Sequence, residues 1–116
     1  MKFALVTAVL LSSIGLINVA NAASVDKGQA LVEKANCASC HGADLKSPIA
    51  PNYPKIAGQH QDYLFYALKS YQVENNPQVG RGNAIMAGQA KQFNLSQLKD
   101  IAAYVSSLPS DFVVKK

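Results

Sequence analysis

The chain contains no tryptophan and lacks the alternating Val, Ile and Thr runs that are typical of β-strands. The first absence limits a chain of 116 residues to one small core, and the second argues against a β-sheet fold. Basic residues form no block beyond the adjacent Lys115 and Lys116, so a nucleic-acid role has little support despite a net charge of +4. Repeats and low-complexity segments are also missing. One domain of helical pattern is therefore expected.

The first 22 residues are typical of a secretory signal peptide. Lys2 supplies the positive start, residues 3–20 are almost wholly apolar or small, and Ala20-Asn21-Ala22 matches the small-x-small cleavage pattern. We therefore expect a signal peptide over residues 1–22 and a periplasmic domain over residues 23–116. A retained membrane anchor is the alternative, because the apolar run approaches the ~18 residues that can span a bilayer.

Apolar spacing and capping residues predict about four helices. The predicted segments are residues 24–35, 61–74, 86–92 and a final helix from Asn94 to Pro109. Ser24 is the predicted N-cap of the first helix, and Asn94 with Gln97 predicts a capping box on the last. The segment after the first helix is dense in proline and glycine, which predicts an ordered loop.

The two cysteines, Cys37 and Cys40, are followed at once by His41, and C-x-x-C-H is the attachment signature of c-type haem. Two thiols three residues apart on a helical turn project from one side, so both can bond the vinyl groups along one porphyrin edge. The alternatives are a disulfide, a thioredoxin-type redox pair and a zinc site. The redox pair lacks a βαβ pattern around it, and zinc lacks a nearby fourth ligand. We therefore predict one covalently attached haem c.

In proteins with a c-type haem of this kind, the iron takes a histidine and a methionine as its axial ligands. His41 supplies the first. Met1 leaves with the predicted leader, so Met86, placed in a loop among small residues, is the predicted second ligand. His60, at the junction of a loop and a helix, is the rival.

Further contacts to the haem are predicted from what it needs. The second ring nitrogen of His41 requires an acceptor, and the backbone carbonyl of Pro51 in the proline-rich loop is the predicted one. The two propionates require donors, of which Arg81, the only arginine, is a bidentate candidate. The other predicted donors are Tyr53, Gln59 and Tyr63.

The chain resembles the class I cytochromes c, and more narrowly the bacterial cytochrome c4 and c553-like group. The resemblance is carried by residues 37–42, 51–60, 83–88 and 95–108. The resemblance implies the small all-α cytochrome c fold, with the terminal helices crossing near Gly28 and Tyr104. It also implies that His41 and Met86 lie on opposite faces of the haem. Proteins like cytochrome c4 carry two such domains in tandem, whereas this chain has one C-x-x-C-H motif.

Two protein ligands leave no open position at the iron, which favours electron transfer over catalysis. We therefore expect a monomeric single-electron carrier that is not an enzyme and has no small-molecule substrate. Its expected partners are redox proteins, either a membrane-bound reductase or oxidase or a periplasmic enzyme. Two alternatives stay open: an electron-entry subunit of a larger oxidoreductase, and a haem peroxidase or gas-binding protein if Met86 dissociates.

Overall fold

The computed structural model describes residues 22–111, which form five helices and, over that range, no strand. The helices are α1 (Val25–Lys34), α2 (Ala38–His41), α3 (Gln61–Tyr71), α4 (Ala84–Ala90) and α5 (Leu95–Ser107). The predicted all-α fold is confirmed, and the helix beyond the four predicted is the short turn α2 that carries the cysteine motif. The predicted leader lies outside the described residues except for Ala22. In the part of the chain described, no helix has both the length and the apolar character needed to cross a membrane.

The caps of α1 and α5 are those that the sequence predicts. The Ser24 side chain accepts a hydrogen bond from the backbone N–H of Lys27 at the start of α1. At α5, Asn94 Oδ1 accepts from the Gln97 N–H at 2.9 Å, and Gln97 Oε1 accepts from the Asn94 N–H at 3.0 Å. This reciprocal pair satisfies two N–H groups that have no partner inside the helix.

Helices α1 and α5 cross at Gly28, where the backbones approach too closely for any side chain. A Cβ atom at Gly28 would lie 1.9 Å from the Asp100 carbonyl oxygen and 2.8 Å from Tyr104 Cβ. The buried Asp100 carboxylate also accepts the Ser24 N–H at 2.7 Å, which ties the start of α1 to α5. The crossing near Gly28 and Tyr104 is confirmed.

The core lies between α1, α3 and α5. Its fully or nearly buried apolar side chains are Val32, Leu45, Ala57, Leu64, Ala90, Leu98, Ile101, Ala102, Ala103 and Val105. Two of these, Leu45 and Ala57, belong to the loop between α2 and α3, so that loop is part of the core. These two buried side chains fasten the loop to the core beside the cysteine motif.

Several helix limits differ from the prediction, among them the end of α3 and both ends of α4, which stops at Ala90 and not at residue 92. Helix α3 ends at Tyr71 and not at Glu74, because the chain turns at Gln72, whose side chain bonds to another segment. Helix α4 begins at Ala84, two residues before the predicted start, because Asn83 is an effective N-cap whose side chain accepts from the Met86 N–H.

Candidate functional site

Helix α2 presents Cys37, Cys40 and His41 on one side. Cys37 precedes the helix, and its carbonyl accepts from the N–H groups of Cys40 and His41 at 3.3 Å and 3.1 Å. Residues three and four positions apart on a helical turn lie one above the other. The turn ends at Gly42, which has φ +90° and where a Cβ would lie 2.3 Å from the Ser47 carbonyl oxygen. The predicted grouping of two thiols and one imidazole is therefore present.

The two cysteines are free thiols and both are half-buried. Before haem is attached, burial raises the pKa of the Cys37 thiol. Free thiols on one side of a turn are the reactants that thioether formation requires, whereas the disulfide alternative is not what the structure contains. No group of three or more His, Cys, Asp or Glu side chains between residues 22 and 111 is arranged to hold a bare metal ion.

His41 is buried, with 6% of its surface exposed, and its ring is held by one hydrogen bond. Nδ1 lies 2.7 Å from the backbone carbonyl oxygen of Pro54. A carbonyl oxygen can only accept, so Nδ1 carries the proton and Nε2 keeps its lone pair. An imidazole fixed in this tautomer by a backbone acceptor is typical of a metal-ligating histidine. Nε2 is thus the ring nitrogen of His41 that remains available to a metal.

The acceptor for His41 is Pro54, so the prediction of Pro51 is wrong. The Leu45 carbonyl accepts from the N–H groups of Ile56 and Ala57 at 2.9 Å and 3.1 Å, which draws the chain just after Pro54 towards α2. Pro51 lies earlier, in an exposed turn closed by the bond from Tyr53 N–H to the Ala50 carbonyl. Three prolines lie within seven residues of this loop, and no local pattern distinguishes the one whose carbonyl reaches the ring.

Met86 lies in the first turn of α4, because the helix begins two residues before its predicted start and takes in the end of the loop in which the sequence placed Met86. The Asn83 side chain accepts the Met86 N–H at 2.9 Å, and the thioether-bearing side chain is half-buried. Its neighbours Ala87 and Gly88 are small, and a Cβ at Gly88 would meet nothing within 4 Å. The rival ligand His60 is exposed and stands at the N-cap of α3.

Arg81 is held against two aromatic rings. Its guanidinium carbon lies 5.6 Å from the Tyr63 ring centroid and 5.7 Å from that of Tyr71. The guanidinium also donates to the Tyr63 hydroxyl at 3.3 Å, and this bond raises the pKa of Arg81 further above neutrality. The side chain borders a surface cavity of about 310 Å³. A positively charged donor in a fixed place can serve a carboxylate, which is the predicted role of Arg81.

Cavity size does not locate the site. A larger depression of about 560 Å³ lies between α3 and α5, and its lining includes none of Cys37, Cys40, His41 and Met86. The chemistry of the donor set does locate it. Two thiols and a tautomerically fixed imidazole share one side of α2, a thioether projects from α4, and Ile49 and Ile85 expose 68% and 55% of their surface. This set fits a covalently attached haem, whose apolar ring would cover such side chains.

Comparison with known proteins agrees with this chemistry. The family model described as cytochrome c matches residues 25–109. Cytochrome c4 of Stutzerimonas stutzeri is 41% identical over 103 residues, which cover 84% of this chain and 48% of that protein. A protein of Thiomonas intermedia (strain K12) named thiosulfate dehydrogenase electron acceptor is 36% identical over 76 residues, covering 66% of this chain and 33% of that protein.

A solved structure resembles the fold as well. The crystal structure of reduced recombinant cytochrome c4 from Pseudomonas stutzeri superimposes with a TM-score of 0.65 at 37% identity, over 76% of this chain and 47% of that one. The chain therefore spans about half the length of the cytochrome c4 relatives that it matches.

Proposed function

The chain belongs to the cytochrome c family, and from this premise we propose that it is a haem-based electron carrier of the periplasm that carries one electron at a time. Its cofactor is one haem c, attached through Cys37 and Cys40. When bound, the haem would supply an iron able to exchange one electron between Fe(II) and Fe(III). His41 and Met86 would hold that iron, and no residue would carry a catalytic step.

The observation that carries the proposal is the state of the His41 ring. Its Nδ1–H donates to the Pro54 carbonyl at 2.7 Å, so Nε2 is the free nitrogen and the ring cannot rotate without losing that bond. His41 is also nearly fully buried. A fixed imidazole beside two attachment thiols supports a permanent ligand for iron.

Met86 supports electron transfer over catalysis. His41 and Met86 together would hold the iron, so that no position would be left for a substrate. A neutral thioether and an apolar surrounding both disfavour the more charged ferric state, so we expect a fairly high reduction potential. Asn83 caps the turn that carries Met86 and sets where the side chain leaves the helix.

Arg81 is proposed to bind a haem propionate together with Tyr63, and Tyr53 and Gln59 are further donors. The Arg81 guanidinium lies against the rings of Tyr63 and Tyr71, so it has little conformational freedom left to lose when it binds a carboxylate. Pro51 and Tyr53 are assigned to the loop that covers the His41 side, where Tyr53 is half-buried.

Electrons are proposed to pass at the surface beside the two thioethers. Ala38 and Ser39 are exposed there, and Ile49, whose N–H donates to the Cys40 carbonyl, is 68% exposed. A small apolar surface of this kind suits brief contacts with redox proteins. The likeness to a protein named as the electron acceptor of thiosulfate dehydrogenase supports a partner that is itself a redox protein.

A potentiometric titration of the purified holoprotein tests the proposal. A carrier with one haem gives a single reversible transition with the slope of a one-electron couple, and its ferrous form does not react with carbon monoxide at neutral pH. Rapid binding of carbon monoxide, or turnover of peroxide, would support an open iron and would overturn the carrier function. Migration as part of a larger complex on gel filtration of native extract would favour the electron-entry subunit.

A further inference from the structure

Met86 belongs to α4, a helix that buries few side chains against the rest of the protein. Helix α4 has seven residues, and Ala90 is the only one of them that is buried. An isolated helix of this length is unstable in water, because too few hydrogen bonds offset the cost of nucleation. Contacts from outside α4 must therefore keep it in place.

Gln72 supplies contacts of this kind. It stands at the C-cap of α3, and its Nε2 donates to the carbonyl oxygens of Ala90 at 2.8 Å and Phe93 at 2.7 Å. The Ala90 carbonyl also accepts the Phe93 N–H at 3.2 Å in the turn that follows α4, and the Gln72 amide adds a bond to it from another helix. Both hydrogens of one amide nitrogen are thus used to fasten the end of α4 to α3.

The anchored residue shares a face with the proposed ligand. Ala90 follows Met86 by four positions, which places the two on the same side of α4. Fixing the Ala90 carbonyl therefore limits movement of the turn that projects Met86. The neighbouring Lys91–Glu74 ion pair is exposed, and such pairs contribute little to rigidity.

We propose that Gln72 is a positioning residue for Met86: its side-chain amide holds α4 against α3 and thereby keeps the thioether at the haem iron. This inference rests on the proposed ligation by Met86. Its consequence is that breaking the two bonds raises the fraction of molecules in which Met86 has left the iron, so that an external ligand binds more readily. The sequence alone does not predict this role for Gln72, because a glutamine at a helix end forms no distinctive pattern.

Titration of the ferric holoprotein with imidazole tests the role of Gln72. The variant Gln72→Met keeps the length of the side chain and removes the donor. The matched control is Gln92→Met, because Gln92 Nε2 bonds only to Gln89 within its own turn. Two hydrogen bonds of ordinary strength correspond to a change of about tenfold. We expect the apparent dissociation constant for imidazole to fall about tenfold in Gln72→Met and to change less than about twofold in Gln92→Met.

The outcomes separate this inference from the function on which it rests. If the wild-type ferric spectrum lacks the far-red sulfur-to-iron band, ligation by Met86 fails. If that band is present and Gln72→Met binds imidazole with wild-type affinity, the positioning role fails even when the melting temperature falls. If Gln72→Met does not assemble, Gln72→Asn, which keeps the amide but is one methylene too short, replaces it. A dissociation constant about threefold lower is then expected, and an unchanged one overturns the inference.

Discussion

The Nδ1 atom of His41 lies 2.7 Å from the carbonyl oxygen of Pro54. Pro51 lies earlier in the same loop, in an exposed turn. The carbonyl of Pro54 is held in place by the rigid proline ring and by the bonds that Ile56 and Ala57 make to Leu45. The orientation of the proposed iron ligand therefore depends on residue 54.

Replacement of each proline by glycine tests this relationship. Both substitutions raise the conformational entropy of the unfolded chain to a similar extent. They therefore differ mainly in which turn of the folded loop becomes more flexible. We expect Pro54→Gly to speed exchange of the His41 Nδ1 proton about tenfold, as measured by NMR of the ferrous holoprotein. Pro51→Gly is the control and should leave exchange nearly unchanged. A larger effect of Pro51→Gly would restore the original prediction.

The helix crossing at Gly28 predicts a large loss of stability on adding one methyl group. A Cβ there would lie 1.9 Å from the Asp100 carbonyl oxygen, so Gly28→Ala must push α1 away from α5. We expect the free energy of unfolding in urea to fall by about 2 kcal/mol or more. Gly82→Ala, where a Cβ would meet nothing within 4 Å, should change it by less than about 0.5 kcal/mol. Equal effects of the two would argue against a close crossing.

Ion pairs between Asp111 and the loop after α2 are expected to make the stability of the fold depend on pH. Its carboxylate lies 3.1 Å from Lys46 Nζ and 3.5 Å from Lys55 Nζ, and the bond from Lys46 lowers the pKa of Asp111. A carboxyl group with a lowered folded-state pKa stabilises the fold above its unfolded pKa of about 3.9, and this contribution disappears as the pH falls through the folded value.

Urea unfolding at two pH values measures that contribution. Asp111→Asn should be slightly less stable than wild type at pH 7, and the difference should vanish near pH 2. High salt should reduce the difference at pH 7, because the pair is exposed to solvent. A difference of equal size at both pH values would show that the charge of Asp111 is not its cause.

The expected leader gives a prediction for the mass of the exported protein. Cleavage after Ala22 and attachment of one haem predict a chain from Ala23 to Lys116 plus one haem, with Ala23 as the first residue by N-terminal sequencing. A large residue in place of Ala22, as in Ala22→Phe, should block cleavage because the peptidase site accepts small side chains. A chain that keeps residues 1–22 in the membrane fraction of wild type would support the retained anchor.

The parts of this fold that follow from the sequence are those set by short-range chemistry. Ser24 and the Asn94–Gln97 pair marked helix starts because capping depends on residues three apart. The Cys37, Cys40 and His41 group was likewise visible, since one helical turn brings its members to one side.

Other parts depend on partners distant in sequence. Pro54 was missed because the bonds of Leu45 to residues eleven and twelve positions later decide which carbonyl reaches His41. Gln72 was missed because its acceptors, Ala90 and Phe93, belong to another helix and its following turn. The start of α4 was placed two residues too late, at Met86, because a seven-residue helix with one buried side chain has almost no apolar period.

The far-red absorption of the ferric holoprotein at neutral pH tests the central claim, that His41 and Met86 together ligate the iron. The account predicts a sulfur-to-iron charge-transfer band in wild type and in His60→Ala. It also predicts loss of the band in Met86→Ala, with an iron that then binds carbon monoxide in its ferrous form. Absence of the band in wild type, or its persistence in Met86→Ala, would contradict the account.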